Sequence, residues 1–146
     1  MEETYELIKE VFILLDDGDR RCLQQYDLTP VQFYALHWSN SADGKTLGEV
    51  SERLLCTPSN VTRVVDILVR RGLLCRERDS EDRRVVRVYR TPAGQKLYEE
   101  VSRTYVESIR ERIGTLSESE HATLQELLGP LKNSLKSRRT ELSSVC

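Results

Sequence analysis

Nine arginines lie between residues 57 and 90, in TPSNVTRVVDILVRRGLLCRERDSEDRRVVRVYR, and they are the side chains here best able to do chemistry. A guanidinium presents five N–H donors in a planar fork and keeps its charge at any physiological pH, which suits it to phosphate oxygens and to the edges of bases. Only Asp66, Glu77, Asp79, Glu81 and Asp82 oppose them, so the stretch carries about +4 in a chain of net charge −2. Residues 1–62 have five basic and eleven acidic side chains, and residues 91–146 have eight of each. Positive charge gathered in one stretch of an otherwise acidic chain points to a polyanionic partner.

Other chemistry is poorly supplied. Cys22, Cys56, Cys75 and Cys146 show no CxxC spacing, and His37 and His121 are far apart, so neither a metal site nor a bound cofactor is expected. There is no paired-carboxylate motif, Gly-rich phosphate loop or nucleophile signature, and nothing positions Cys22 and His37 as a dyad, so an enzyme is not expected. Cys56 and Cys75, flanked by leucine pairs, read as buried reduced thiols, and Cys22 and Cys146 as exposed ones. At 146 residues, 38% hydrophobic and 32% charged, with no apolar run near the roughly 20 residues of a membrane span, the chain reads as one soluble domain or two small lobes. Neither a signal peptide nor an anchor fits, and a cytoplasmic location is the default expectation.

The elements that must hold the arginines follow from caps and periodicity. Tyr5, Ile8, Val11, Phe12 and Leu15 predict a helix over about 2–24, fraying or bending at Asp16-Asp17-Gly18-Asp19. Thr29-Pro30 opens a second helix, with Phe33, Leu36 and His37 on one face, and residues 39–44 form the loop that ends it. Thr46-Leu47-Gly48-Glu49 is a capping box that starts a short helix to about Leu55. Thr57-Pro58 starts another, with Val61, Val64, Val65 and Leu68 as its inner stripe and Gly72 as its stop. Residues 73–78 and 83–89 read as a hairpin turning at Asp79-Ser80-Glu81-Asp82. Thr91-Pro92 opens a helix from Ala93 to about Ile113, carrying Leu97, Val101, Tyr105 and Ile109, and Gly114 stops it. Ser117-Glu118-Ser119-Glu120 opens the last, with Leu124, Leu127, Leu128, Leu131 and Leu135 on its apolar side and a kink or break at Gly129-Pro130. A disordered tail is expected after about Leu142.

The fold class is therefore mainly α with a small β-hairpin wing. A winged helix-turn-helix lobe occupies residues 29–90, and the terminal helices, 1–28 and 91–146, form a helical lobe. Their wide apolar stripes find little to cover them within one chain, which a helical dimer would remedy, as would folding back on the same chain.

Taken together, Leu28-Thr29 before a helix with aromatics, Val61-Thr62-Arg63-Val64-Val65-Asp66-x-Leu68, Gly72-Leu73, Arg78-Asp79-x-x-Asp82-Arg83-Arg84 and Thr91-Pro92-x-Gly94 resemble the multiple antibiotic resistance regulator (MarR) family of winged-helix transcription factors. The match covers about residues 28–97 well and the flanking helices by pattern. The resemblance implies an obligate homodimer, usually a repressor, that binds a pseudo-palindromic double-stranded DNA operator through one recognition helix, residues 57–71, and one wing, residues 75–89, per subunit. With the valine stripe turned inward, Ser59, Asn60, Thr62, Arg63 and Asp66 must lie on or near the exposed surface, towards the helix start that enters the major groove.

Roles follow from donor and acceptor chemistry. Asn60 can bind adenine bidentately, Arg63 suits guanine or phosphate, and Ser59 and Thr62 suit a base edge or a phosphate. Thr57 divides between its cap and a phosphate. By the resemblance, Arg84 takes the place of the minor-groove arginine and Asp82 that of the carboxylate bracing it, with a narrow A·T-rich groove the strongest attractor. Arg76, Arg78 and Arg83 read as backbone clamps. The bland alternative is a solvated face balanced by its five acids; Asp66 fits better as a partner of Arg70 or of a wing arginine than as a base contact.

The resemblance also implies an effector entering near the junction of the lobes, where Phe12, Tyr26, Phe33, Tyr34, His37 and Trp38 would meet. They read either as a pocket for a small aromatic or amphipathic molecule or as plain core. The peroxide-sensing branch's reactive cysteine has no counterpart in residues 5–12, and two histidines do not make the zinc-sensing cluster. From a different class, a winged-helix module for protein contacts without DNA binding is the competing reading; it predicts binding indifferent to salt and to Arg84→Ala.

Overall fold

A computed structural model of the chain describes residues 1–39 and 42–143, the last four as backbone alone. The expectations for Cys146, for the tail from Ser144 and for the Asn40-Ser41 part of the loop lie outside the described residues. The elements run α1 (Glu2–Gln24), α2 (Pro30–Trp38), β1 (Lys45–Thr46), α3 (Leu47–Leu54), α4 (Pro58–Arg70), β2 (Leu74–Arg78), β3 (Val86–Arg90), α5 (Pro92–Ile113) and α6 (Glu118–Ser143). The strands form one antiparallel sheet in the order β1-β3-β2. The fold is mainly helical with a winged helix-turn-helix, and it divides into two compact units at Ser108 and Ile109.

In the first unit the helix starts are held by the side chains that the caps predict. Thr29 and Gln32 form a reciprocal capping box, as do Thr46 and Glu49, and Thr57 Oγ1 accepts from the Asn60 amide. Each box satisfies two of the amides that a helix start leaves unpaired. Glu49, accepting from the Thr46 amide, titrates below the usual carboxylate range for that reason.

Three helix ends share one geometry. Asp27, Leu55 and Gly72 all take positive φ, 52°, 53° and 71°. Each is followed by a residue whose amide reaches back five positions, Leu28 to Leu23, Cys56 to Ser51 and Leu73 to Leu68. This is the Schellman arrangement, which normally selects glycine, and only Gly72 meets it without steric cost. Leu28 and Leu73, the residues after the reversals, are buried.

Between these ends, α2, α3 and α4 pack on one another and α4 packs on β2. Leu36, Val50, Val61, Val65, Leu68, Leu74 and Val88 are fully buried. Val64 is only half-buried, so it sits at the edge of the predicted stripe.

Several expectations are corrected. α1 continues through Asp16-Asp17-Gly18-Asp19 without fraying, and the acids contribute by pairing one turn ahead, Asp16 with Arg20 at 2.7 Å and Asp17 with Arg21 at 2.8 Å. Such exposed pairs contribute little each and offset only part of glycine's helical penalty. Cys22 is not exposed but 9% accessible, because it falls on the inner face beside Leu23. Cys56 and Cys75 are half-buried free thiols, and burial pushes the Cys75 thiol up. The first hairpin strand begins one residue later than predicted and ends at Arg78 as predicted, and the second is shifted towards the carboxyl end: Arg83, Arg84 and Val85 belong to the turn, which is closed by Asp79 N to Val85 O and Val85 N to Asp82 O, both 2.9 Å. β1 is an addition, pairing Lys45 with Val88 and Thr46 with Arg87.

Gly94 explains one motif glycine. A Cβ there would overlap the Leu73 carbonyl oxygen, which accepts from the Thr91 amide at 3.1 Å. Thr91 Oγ1 in turn donates to Gly72 O at 2.6 Å and accepts from Gly94 N at 3.0 Å, so α5 starts pressed against the residues that follow α4. Backbone cannot yield as a flexible side chain can, and Gly94→Ala is expected to lower unfolding free energy by about 1–3 kcal/mol, read from its urea midpoint. An unchanged midpoint would show that α5 can lift away freely.

Within the second unit, Ser117 and Glu120 cap α6 reciprocally, at 2.7 Å and 3.4 Å. The helix is not broken at Gly129-Pro130, although Pro130 cannot donate to Glu126. Leu124, Leu127, Leu128, Leu131 and Leu135 are exposed along it. In the first unit, α1 likewise exposes Tyr5, Leu7, Val11, Phe12, Ile13 and Leu14.

Candidate nucleic-acid interface

Two elements present the predicted residues. On α4 the buried stripe of Val61, Val65 and Leu68 fixes the opposite face, so Thr57, Ser59, Asn60, Thr62 and Arg63 are all exposed. Thr57 spends its oxygen on the cap and lies 3.3 Å from Ser59 Oγ, while Thr62 Oγ1 donates to Pro58 O at 2.9 Å. The Asn60 and Arg63 side chains have no hydrogen-bond or ion-pair partner among the described residues. Thr57, Ser59 and Thr62 thus find partners within their own helix start, and the longer Asn60 and Arg63 side chains stand ready for an external partner.

Asp66 pairs with Arg76 Nη2 at 2.5 Å. Of the alternatives open for Asp66, the bridge to the hairpin is the one formed. It pins β2 to α4, and it also occupies Arg76, one of the expected backbone clamps.

The turn of the hairpin is organised by two aspartates. Asp79, whose side chain is 14% accessible, accepts from the Glu81 amide at 2.9 Å, from the Asp82 amide at 3.1 Å and from Arg87 Nε. Asp82 accepts from Arg84 through its amide at 3.0 Å, Nε at 3.0 Å and Nη2 at 3.1 Å. The guanidinium of Arg84 is therefore held bidentately while its side chain stays 91% accessible. That is an oriented, solvent-facing cation at the tip of a hairpin. Arg78 and Arg83 are exposed beside it with no ion-pair partner among the described residues.

Arg87 had no assigned role in the sequence. It alternates between Val86 and Val88, which sends its side chain to the other sheet face, and Asp79 one strand-end away is the acid in reach. Arg87 holds the Asp79 carboxyl down at about 2, with the Asp82 and Glu81 amides adding to it. The folded value lies below the unfolded value of about 3.9, so this contribution is fully present above about pH 4 and is lost as pH falls through about 2. Amide protection at Glu81 and Asp82 should fall over that window, and Asp79→Asn should show the loosened turn already at neutral pH. Protection independent of pH would show that the carboxylate does not organise the wing.

The six aromatic candidates do not come together as one pocket. Phe33, Tyr34 and His37 of α2 pack instead on Tyr98 and Tyr105 of α5, with ring centroids 4.8 Å apart for Phe33 and Tyr105 and 5.9 Å for Phe33 and Tyr98. Tyr34 and Tyr105 hydroxyls meet at 2.9 Å and His37 Nδ1 meets the Tyr98 hydroxyl at 2.7 Å. Burial pushes the Tyr105 hydroxyl up strongly, and burial followed by the nearby Arg90 charge pulls His37 down. Trp38 lies edge-on to His37 with Arg53 over its ring at 4.6 Å. Tyr26 bonds Thr104 at 2.6 Å, and Phe12 is on the exposed side of α1. His37 and Trp38 border a hollow of about 450 Å³, whose other walls are Lys45, Glu49, Glu52 and Arg53. Tyr98 and Tyr105 went unnoticed as partners of α2, although their spacing of seven on one helix face was visible.

A family model described as "MarR family" matches residues 26–85, the segment that holds α2, α3, α4, β2 and the wing turn. The HTH-type transcriptional regulator YsmB of Bacillus subtilis (strain 168) is 29% identical over 129 residues, 88% of each chain. A MarR-like transcription regulator from Bacillus cereus superposes with a TM-score of 0.80 at 28% identity, over 92% of this chain and 96% of that one. A structure of S. aureus MepR described as being in its DNA-binding conformation gives 0.78 at 25% identity, over 90% of this chain and 98% of that one.

Proposed function

The chain belongs to the MarR family of transcription regulators, and from that premise we propose that it is a homodimeric repressor reading a pseudo-palindromic operator. Residues 29–90 bind DNA and residues 1–28 with 91–146 dimerise. The reading is carried by Arg84: a bidentate aspartate holds it in place, yet its charge faces solvent at a hairpin tip. An arginine needed only for folding would be expected to pack inward as Arg87 does.

In this reading the amino end of α4 enters the major groove, Asn60 contacts a base edge, Arg63 takes the phosphate beside it, and Ser59 and Thr57 contact phosphate or base. Thr62 keeps only an acceptor position for DNA. Arg84 enters the adjoining minor groove, and Arg78 and Arg83 clamp the backbone. Arg76 acts by fixing the wing to α4. The exposed apolar faces of α1 and α6 supply the dimer contact. A small aromatic or amphipathic effector would release the operator by wedging at the α2–α5 seam of tyrosines, which requires about 1–3 kcal/mol of differential affinity between two conformers.

Selection from a pool of random duplexes tests this. The protein should enrich a two-fold symmetric site with half-sites about one helical turn apart. Enrichment of nothing would favour the alternative of a protein-interaction module.

A further inference from the structure

Arg71 stands apart from the other arginines of the charged stretch. It caps the carboxyl end of α4, eight residues beyond Arg63, and is thus about 12 Å further along the helix axis from the base-reading end. Its side chain turns to the junction of α1 and α2, where Nη1 donates to Asp27 O at 2.5 Å and Nη2 to Tyr26 O at 3.5 Å. Those carbonyls belong to the turn that follows the 23-residue α1 and reverses the chain, with Asp27 held at positive φ. The end of a helix carries partial negative charge and unpaired acceptors, so a guanidinium is well matched there. The Asp27 carboxylate, 3.9 Å away and fully exposed, adds little. Tyr26 has a second attachment, its hydroxyl bonding Thr104 Oγ1 of α5 at 2.6 Å. Two consecutive residues therefore tie together the ends of α1 and α4 and the middle of α5.

We propose that Arg71 is a positioning residue for operator binding: it fixes the carboxyl end of the recognition helix to the end of α1, and so sets the separation of the two recognition helices without touching DNA. The inference rests on the DNA-binding reading above. The end of α4 is also held to the start of α5 through Gly72 O and Thr91 Oγ1, and Arg71 supplies the separate tie to the end of α1.

The test uses the duplex that the unmodified protein selects, and the same duplex with one base pair inserted between its half-sites. Arg71→Gln should lower affinity for the selected duplex about five- to tenfold at every salt concentration, leave the dimer intact and reduce the penalty for the insertion. The slope of log affinity against log salt should be unchanged, because no phosphate contact is lost, and Arg71→Lys should restore part of the insertion penalty. Tyr26→Phe, which removes only the Thr104 bond, should reduce the insertion penalty in the same direction; it also serves if Arg71→Gln fails to fold. A slope shallower by about one per subunit would make Arg71 a phosphate clamp and overturn the proposal. An unchanged insertion penalty in these variants would overturn it too. If the unmodified protein selects no duplex, the DNA reading fails and this inference fails with it; a selected duplex that Arg71→Gln binds as well as the parent overturns the inference alone.

Discussion

Val11→Glu combined with Leu14→Glu is expected to leave the winged lobe folded, convert the protein to a monomer and lower operator affinity by about 10²- to 10⁴-fold. Both side chains are exposed on α1, so charging them removes nothing from the core of the first unit. If a second subunit covers them, each contributes on the order of 1.5–3 kcal/mol of burial in the dimer, and a carboxylate in its place meets a desolvation cost instead. A monomer then binds one half-site, and the advantage of linking two half-sites is lost. Light scattering and a gel shift on the selected duplex separate the two effects. A double variant that remains dimeric would move the interface away from this face of α1.

The second large effect is expected at the wing. Arg84→Ala should weaken operator binding by about thirtyfold, since a groove contact is lost twice in a symmetric complex and the two losses multiply. Thermal stability should hardly move, because the side chain covers almost nothing. Asp82→Ala is the informative companion: it keeps the cation and removes the fork that orients it, so its loss should be smaller and should fall mainly on discrimination between narrow and wide minor grooves. Arg84→Lys should not restore the parent's behaviour, because an ammonium cannot accept the bidentate brace. Equal binding by Arg84→Ala and the parent would remove the wing from the DNA contact.

Much of this architecture can be read from polar residues at helix starts. Thr29, Thr46, Thr57 and Ser117 each precede a helix and each makes the hydrogen bond that its spacing implies, because capping is local and depends on three or four residues. The Asp82–Arg84 brace is equally local, two residues apart in a turn. What escaped the sequence depends on distant partners. β1 is two residues long, too short for any alternation to register, and exists because β3 offers it an edge. Cys22 is buried by its position beside Leu23 on the inner face of α1, which local composition does not reveal. Arg71 is one more cation of the charged stretch by sequence, and its carbonyl partners lie more than 40 positions away. The same holds for Arg76, taken by Asp66, and for Tyr98 and Tyr105, which pack on Phe33.

If exposed cations of α4 and the wing hold a DNA backbone, the salt dependence of binding shows it most directly. With Arg63, Arg78 and Arg83 as clamps in each of two subunits, log affinity for the selected duplex should fall linearly with log salt at a slope of about −5. Random duplex should show similar steepness at far lower affinity. A slope near zero, or one unchanged when all three arginines are replaced by alanine, would contradict the account.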